Sequence, residues 1–343
     1  MKRYLLKVGV VAVCLVVAQY FVLLTIRAPL PAEYWIREFV IAKRYDAAQM
    51  QSPKIIFVGG SCTLFGIDAA QVQKSMGMPA VNFGLHAGMR LEDHLAEALA
   101  AAKPTDIVVL SLEPAYYDYY SATWTTWQLR SALAWRPEDL NALTPWERWR
   151  VLVTSSDFSI STDLLESDWM KHFSRGSLSR RYQALGPEET ILERYRAERG
   201  TSRTFAYDLS NLDANGDLLN ATADNSFHGD TWPVTQPSHI SAYAKSRLVP
   251  FLEEMKRRGV RVLFDYTPYL IYESPNDDWK QAEAQFRGEI AALGGKLIER
   301  RDAFFYPNAL FFNSNLHLCA KGREMRTQTL IGALRAEIKP GDN

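Results

Sequence analysis

The chain has 343 residues, with 39 basic and 39 acidic side chains and a formal charge of zero. Nothing in that balance points to nucleic acid. The length admits one large domain or two smaller ones with a full core, and no segment is repeated or of low complexity.

Residues 4–26 form an almost unbroken apolar run, interrupted only by Lys7 and Gln19. About 20 such residues suffice to cross a bilayer as a helix. Lys2, Arg3 and Lys7 precede or open the run. By the positive-inside tendency they keep the N-terminus cytoplasmic and export the chain beyond the run, with Arg27 opposing. The competing reading is a cleaved signal peptide, but its apolar region is normally shorter, and no small-x-small cleavage site precedes the end of this run. The expectation is a single-pass anchor over 4–26 in the inner (cytoplasmic) membrane. A proline-stiffened linker or helix over 27–50 comes next, and the remaining chain lies in the periplasm.

The next segment alternates in the manner of a parallel α/β sheet. A strand over 54–59 stops at Gly59-Gly60-Ser61, and Asp68 is placed to cap a helix running to about 76. A strand over 80–83 leads into Gly84-Leu85-His86-Ala87-Gly88. An amphipathic helix over 91–102 and a strand over 107–112 complete the pattern. Buried parallel strands read as continuous apolar runs, and chemistry in such sheets sits just past their carboxyl ends. Ser61 is therefore a candidate nucleophile; the plainer alternative is a Gly-Gly-Ser turn.

From 116 to 233 the strand signal fades and aromatics crowd. Tyr116, Tyr117, Tyr119 and Tyr120 lead into Trp124, Trp127, Trp135, Trp146 and Trp149, five of the nine tryptophans. Arg136-Pro137-Glu138 and Thr144-Pro145-Trp146-Glu147 read as helix starts, and 201–237 reads as loop. Core packing is the plain account of these aromatics; stacking on sugar rings or seating at a membrane interface are the functional ones. The α/β pattern resumes with a helix over 238–258, a strand over 260–266 ended by Thr267-Pro268, a helix over 277–293, a short strand over 296–298 and a final helix over 323–338. The α/β domain is thus 51–120 with 238–339, and 121–237 is a helical and loop insertion. His317, in the loop before the last helix, is of the type needed to take a proton from a serine.

The order and wording of these blocks resemble the SGNH/GDSL hydrolase family. The resemblance is carried by Gly60-Ser61 after the first strand, Asn82-Phe83-Gly84 after the second, the strand ending in Thr267-Pro268, and the run from Phe312 through His317-Leu318 to Gly322. The last run is similar to membrane-anchored envelope members that handle D-alanyl or acetyl groups. The resemblance covers 54–118 and 238–334 and leaves out the aromatic insertion. It implies a three-layer α/β/α sandwich with a flavodoxin-like sheet, Ser61 as nucleophile and His317 as general base. It also implies an oxyanion hole from the N–H groups of Cys62 (or Ser61) and Gly84, and no metal or cofactor.

Two departures stand out. The aspartate expected three or four residues before the histidine is replaced by Ser314 and Asn313, which leaves Asn313, Ser314, a backbone carbonyl, or a distant carboxylate (Asp265 or Glu113) to orient His317. The Gly-x-Asn-Asp block is replaced by Ser111-Leu112-Glu113-Pro114, with Asn82 or His86 as substitute side-chain donors. If Ser61 and His317 meet, Cys62 and Cys319 flank the site, and in an oxidising compartment a bridge between them is open. The expected function is acyl transfer or ester hydrolysis, with acetyl the group, on an envelope or exopolysaccharide glycan beside a membrane-embedded acyl donor. The alternatives are an inactive glycan- or partner-binding component, and an anchored lipase or thioesterase.

Overall fold

The computed structural model describes residues 2–26, 29–118, 123–173, 181–221 and 227–338; Tyr119 and Tyr120 of the aromatic region lie outside them. In chain order the elements are α1 (Lys2–Thr25), α2 (Trp35–Gln49), β1 (Ile55–Gly59), α3 (Ser61–Gly66), α4 (Ala69–Met76), β2 (Ala80–Gly84), α5 (Leu91–Ala101) and β3 (Ile107–Leu110). The helices α6 (Ala115–Asp118), α7 (Thr126–Trp135), α8 (Pro137–Asn141), α9 (Pro145–Ser155), α10 (Phe158–Phe173) and α11 (Glu188–Glu198) come after them. Last are α12 (Ala242–Arg257), β4 (Arg261–Phe264), β5 (Tyr269–Ile271), α13 (Asp278–Ala292), β6 (Phe305–Pro307) and α14 (Ala320–Glu337). The chain divides into two compact units, Met1–Arg37 with Ala122–Pro187, and Glu38–Ser121 with Glu188–Asn343.

The second unit carries a parallel four-stranded sheet in the order β2-β1-β3-β4. Strands β1, β2 and β3 are buried at every position, which is why they read as unbroken apolar runs. Gly59 pairs with Gly84, and Val58 with both Phe83 and Leu110. This register ends three strands at one level, so the loops beyond them converge. Asp68 caps α4 as expected, accepting from the Gln71 N–H. The short strand expected over 296–298 shrinks to one bridge between Phe264 and Leu297. The Phe264 N–H donates to the Lys296 carbonyl and the Ile298 N–H to the Phe264 carbonyl, while the carbonyls of Leu297 and Glu299, on the other side of the chain, accept from Arg287. The two-stranded β5–β6 pair has no counterpart among the elements expected from the sequence.

The outer edge of β2 is closed by the loop around 209–218. Asn82 N–H donates to the Asn215 carbonyl at 2.8 Å, and Asn215 Nδ2 donates to the Ala80 carbonyl at 2.8 Å. Covering an edge in this way removes a template for unwanted strand pairing. At the far end of the sheet, fully buried Lys54 and Asp106 form an ion pair that joins the starts of β1 and β3. Beneath the carboxyl end of β2, buried Lys43 of α2 donates to the Asn82 and Gly84 carbonyls at 2.8 and 2.9 Å. Burial pushes the Lys43 ammonium down to about 7, against the pull of Asp217, Asp213 and Asp46.

In the first unit, residues Arg3–Leu23 of α1 are long and apolar enough to cross a membrane, and the helix is exposed over most of its length, with Leu23 buried at its end. The helices α7, α9 and α10 pack with the end of α1 around Leu23, Leu30, Trp124, Leu129, Ile160 and Leu164. Thr125 with Gln128, and Thr144 with Glu147, form reciprocal capping boxes at the starts of α7 and α9. Such a cap contributes about 1 kcal/mol. Pro137 and Pro145 occupy the first helical positions that suit them. The aromatic region has two fates: Trp124 and Trp135 are core, whereas Trp146 and Trp149 are exposed and stacked on each other.

One buried side chain ties the sheet to the last helix. Arg326 of α14 donates to the Cys62 carbonyl at 2.8 Å, to Asp265 Oδ2 at 2.9 Å and to the Tyr266 carbonyl at 3.1 Å. Arg326→Met leaves Asp265 as an uncompensated buried charge and is expected to cost about 3–5 kcal/mol. Chemical unfolding of the full chain in detergent measures this. Adding Asp265→Leu to the same chain should recover part of the loss, and an unchanged midpoint in the single variant contradicts the assignment.

Candidate functional site

The loops after β1, β2 and β3 crowd together until only small residues fit. A Cβ on Gly60 would meet Glu113 Oε1 at 2.4 Å and the Ala87 Cα at 2.8 Å, and one on Gly84 would meet the Leu64 nitrogen at 2.2 Å. The backbone approach itself is what glycine permits here. Where the sequence suggests a turn after Ser61, the chain forms the short helix α3 with Ser61 as its first residue. The Thr63 and Leu64 N–H groups both donate to the Gly60 carbonyl at 3.1 Å. Ser61 is almost buried. Among the described residues, neither its hydroxyl nor its N–H has a hydrogen-bond partner.

The proposed oxyanion donors are in use. Cys62 N–H donates to Glu113 Oε1 at 3.1 Å, and Gly60 N–H donates to Glu113 Oε2 at 3.1 Å. Gly84 N–H donates to Asn82 Oδ1 at 2.9 Å. Asn82 spends its amide on the Thr63 and Ile67 carbonyls at 3.1 and 3.0 Å. An oxyanion would have to displace a carboxylate from Cys62 and an amide oxygen from Gly84. Glu113 therefore caps the start of α3 and does not orient His317. Its burial raises the carboxyl pKa, opposed by the hydrogen bonds it receives.

His317 is held by its own loop. Phe311 and Leu318 form an antiparallel bridge, and the Phe312 N–H donates to the His317 carbonyl at 2.7 Å. The imidazole Nδ1 lies 2.6 Å from Asn313 Oδ1. An amide oxygen only accepts, so Nδ1 carries the proton and Nε2 keeps its lone pair. Of the orienters named from sequence, Asn313 makes the contact. Ser314 Oγ accepts from the Leu316 N–H, and Asp265 is taken by Arg326 and the Ser111 hydroxyl.

The imidazole also lies flat on Phe65, with ring centroids 4.0 Å apart and planes 11° from parallel. Phe65 comes four residues after Ser61 on α3, the spacing of one helix face. The structure thus brings His317 to the helix that Ser61 opens, without a direct hydrogen bond between the two. His86 is close by in electrostatic terms. Burial, and then His86, push His317 down to about 3; burial alone pushes His86 down to about 4. His86 Nδ1 accepts from the Gly88 N–H at 2.9 Å, so its proton sits on Nε2. One imidazole offers a lone pair and the other carries its N–H on the opposite kind of nitrogen.

The two cysteines stay apart in role. Both are free and buried. Cys62 Sγ faces the Ser111 carbonyl at 3.6 Å, and Cys319 Sγ faces the Ala309 carbonyl at 4.0 Å. The bridge entertained from the sequence is not formed. Burial pushes the Cys62 thiol well above its usual value, which keeps it unreactive. No group of three or more His, Cys, Asp or Glu side chains among the described residues is arranged to hold a metal.

Sequence reasoning missed the Glu113 cap and the Arg326 tie. A signal for the second was present: Gly322, Arg326, Leu330 and Leu334 recur at helical spacing, and all four are buried. An arginine in that row asks for a buried partner.

A low imidazole pKa makes the acid side of any Ser61 reactivity late. His317 must be neutral to accept a proton, so labelling of Ser61 should stay level from neutral pH to about 4 and fall near pH 3. Unfolded histidine binds its proton near 6.5, so between these values the unfolded chain takes up more protons and stability falls as pH drops. Asn313→Asp sets a carboxylate on Nδ1 and should move the acid limb of the labelling profile upward by about one unit or more. A profile that does not move contradicts the role given to Asn313.

No protein-family model matches the chain, and neither a search of curated proteins nor one of solved structures returns a match.

Proposed function

We propose that the chain is a membrane-anchored, periplasm-facing serine acyltransferase or esterase of SGNH type. It would carry an acyl group, acetyl by preference, to or from an envelope or exopolysaccharide glycan. The single observation that carries the reading is the Asn313–His317 contact at 2.6 Å, which fixes a neutral imidazole with its lone pair on Nε2 beside the helix that begins at Ser61. The fold proposed with it is a flavodoxin-like three-layer sandwich, for which the parallel order β2-β1-β3-β4 is the support. The anchor is α1, supported by its length and composition.

In this reading Ser61 Oγ attacks the acyl carbonyl carbon, and its proton passes to His317 Nε2. Collapse of the tetrahedral intermediate breaks the bond to the leaving oxygen, which takes the proton from His317 and leaves an acyl-serine. A glycan hydroxyl or water then gives its proton to Nε2 and attacks the acyl carbon; the bond to Ser61 Oγ breaks, and Oγ takes the proton back from Nε2. Which acceptor reacts depends on water exclusion and placement. The Ser61 N–H is the backbone donor proposed for the oxyanion, since those of Cys62 and Gly84 are engaged, and His86 is the side-chain donor proposed beside it. Losing one such donor costs on the order of 3 kcal/mol. The partner proposed at the membrane is an embedded acyl-donor protein.

A second reading is an inactive binding component of a polysaccharide machine. It is favoured by one observation, the Glu113 carboxylate on the Cys62 N–H, which fills the expected oxyanion position with negative charge. A serine-reactive fluorophosphonate and a chromogenic acetyl ester separate the two. The enzyme reading expects labelling and turnover that disappear in Ser61→Ala and fall by about 100-fold or more in His317→Ala. A folded wild-type protein that neither labels nor turns over supports the binding component.

A further inference from the structure

The membrane helix does not stand alone in its unit. Near the end of the stretch that is apolar enough to span, Gln19 Nε2 of α1 donates to Ser156 Oγ and to the Asp157 carbonyl, both at 3.3 Å. These two residues form the corner between α9 and α10. One turn later Leu23 is buried in the core that α7, α9 and α10 share. The spanning stretch Arg3–Leu23 is 21 residues, about 30 Å as a helix, the thickness of the hydrocarbon layer. Gln19 stands four residues before the end of that stretch, so the corner between α9 and α10 is fixed about 6 Å inside the boundary where hydrocarbon gives way to headgroups.

Both helices bury one face in the unit and leave a second apolar stripe exposed. On α9 the buried side is Val151, Leu152 and Ser155, while Trp146 (66% exposed), Trp149 (49%) and Val153 (42%) lie at helical spacing on the other side. On α10, Ile160, Leu164 and Ser167 are buried, while Phe158 (61%), Leu165 (48%) and Trp169 (66%) share the outward face. Water-facing helices do not ordinarily carry two such stripes. Exposed Arg150 borders the α9 stripe, with a stem long enough to lie along apolar surface and keep its charge in water. Tryptophan at this level, with an arginine beside it, is the composition of a membrane interface.

We infer that α9 and α10 form an interfacial platform, whose Trp146–Trp149–Val153 and Phe158–Leu165–Trp169 stripes lie in the headgroup–acyl boundary of the bilayer that α1 crosses. The occupant of this face is lipid, because Gln19 of the helix that is apolar enough to span bonds the corner that joins α9 and α10. The inference rests on α1 as a spanning anchor. It adds a second, in-plane attachment that fixes how the helical unit sits on the membrane, which a single spanning helix leaves free to rotate.

The test uses the full chain in phosphatidylcholine vesicles, with the lipid brominated high on the acyl chain as quencher and iodide as the aqueous counterpart. Three of the nine tryptophans belong to the platform, so the brominated lipid should quench about a third of the emission. The variant Trp146→Phe/Trp149→Phe/Trp169→Phe, which keeps the stripes apolar, should lose most of that quenchable component. Equal quenching in both proteins, or none in the wild type, overturns the proposal. Shielding of these tryptophans from iodide without quenching by brominated lipid assigns the face to a second copy and also overturns it. Alkaline carbonate keeps the two ideas apart: release of the protein sinks the anchor and the platform together, whereas retention without bromine quenching sinks the platform alone.

Discussion

The buried guanidinium of Arg326 is the contact on which the sheet-bearing unit depends. It is fully buried, as is its partner Asp265. Desolvating two charges is costly, and the cost is met only when every donor and acceptor is well placed. Arg326 offsets part of that cost by gripping two separated pieces of chain, the Cys62 carbonyl after β1 and the Asp265 carboxylate with the Tyr266 carbonyl after β4, while its Nε and Asp265 Oδ1 stay without a hydrogen-bond partner among the described residues. The packing leaves no slack, since a Cβ on Gly66 would stand 2.3 Å from Arg326 Nη1. Helix α14 is thereby held in register with the helix that Ser61 opens. His317 lies three residues before α14, so its position depends on the same grip.

A second buried carboxylate works on the other side of that helix. Glu113 reaches from the loop after β3 to the N–H groups of Gly60 and Cys62, where a helix start leaves donors without partners. Together, Glu113 at the front and Arg326 at the back explain how a helix of only six residues is stable at the end of a strand. Neither residue belongs to the constellation proposed for the chemistry, yet both decide its geometry.

The sequence made β1, β2 and β3 legible because parallel strands buried on both faces leave no ambiguity of period. The starts of α8 and α9 were legible from their prolines, and that of α9 also from the Thr144–Glu147 pair, because caps are local chemistry. β5 and β6 were not, since three-residue strands carry too short a pattern, and their pairing joins segments more than 30 positions apart. The site divides in the same way. Asn313 and His317 are four positions apart, so their contact could be entertained from the sequence. The engagement of the Cys62 N–H could not, because Glu113 is 51 positions away and competes for the same donor that a reaction would need. Nor could the nearness of Phe65 to His317, a stack made across 252 positions by the convergence of loops.

The groups that set the two imidazole tautomers are an amide oxygen, Asn313 Oδ1, and a backbone N–H, that of Gly88. Neither gains nor loses a proton anywhere between mild acid and mild base. A histidine oriented by a carboxylate changes character when that carboxylate is protonated; here nothing equivalent exists to switch. The polarity of the histidine pair, with a lone pair on one ring's Nε2 and a proton on the other's, is therefore a fixed dipolar pattern. It should persist through acidification of the surroundings until the rings themselves take up charge.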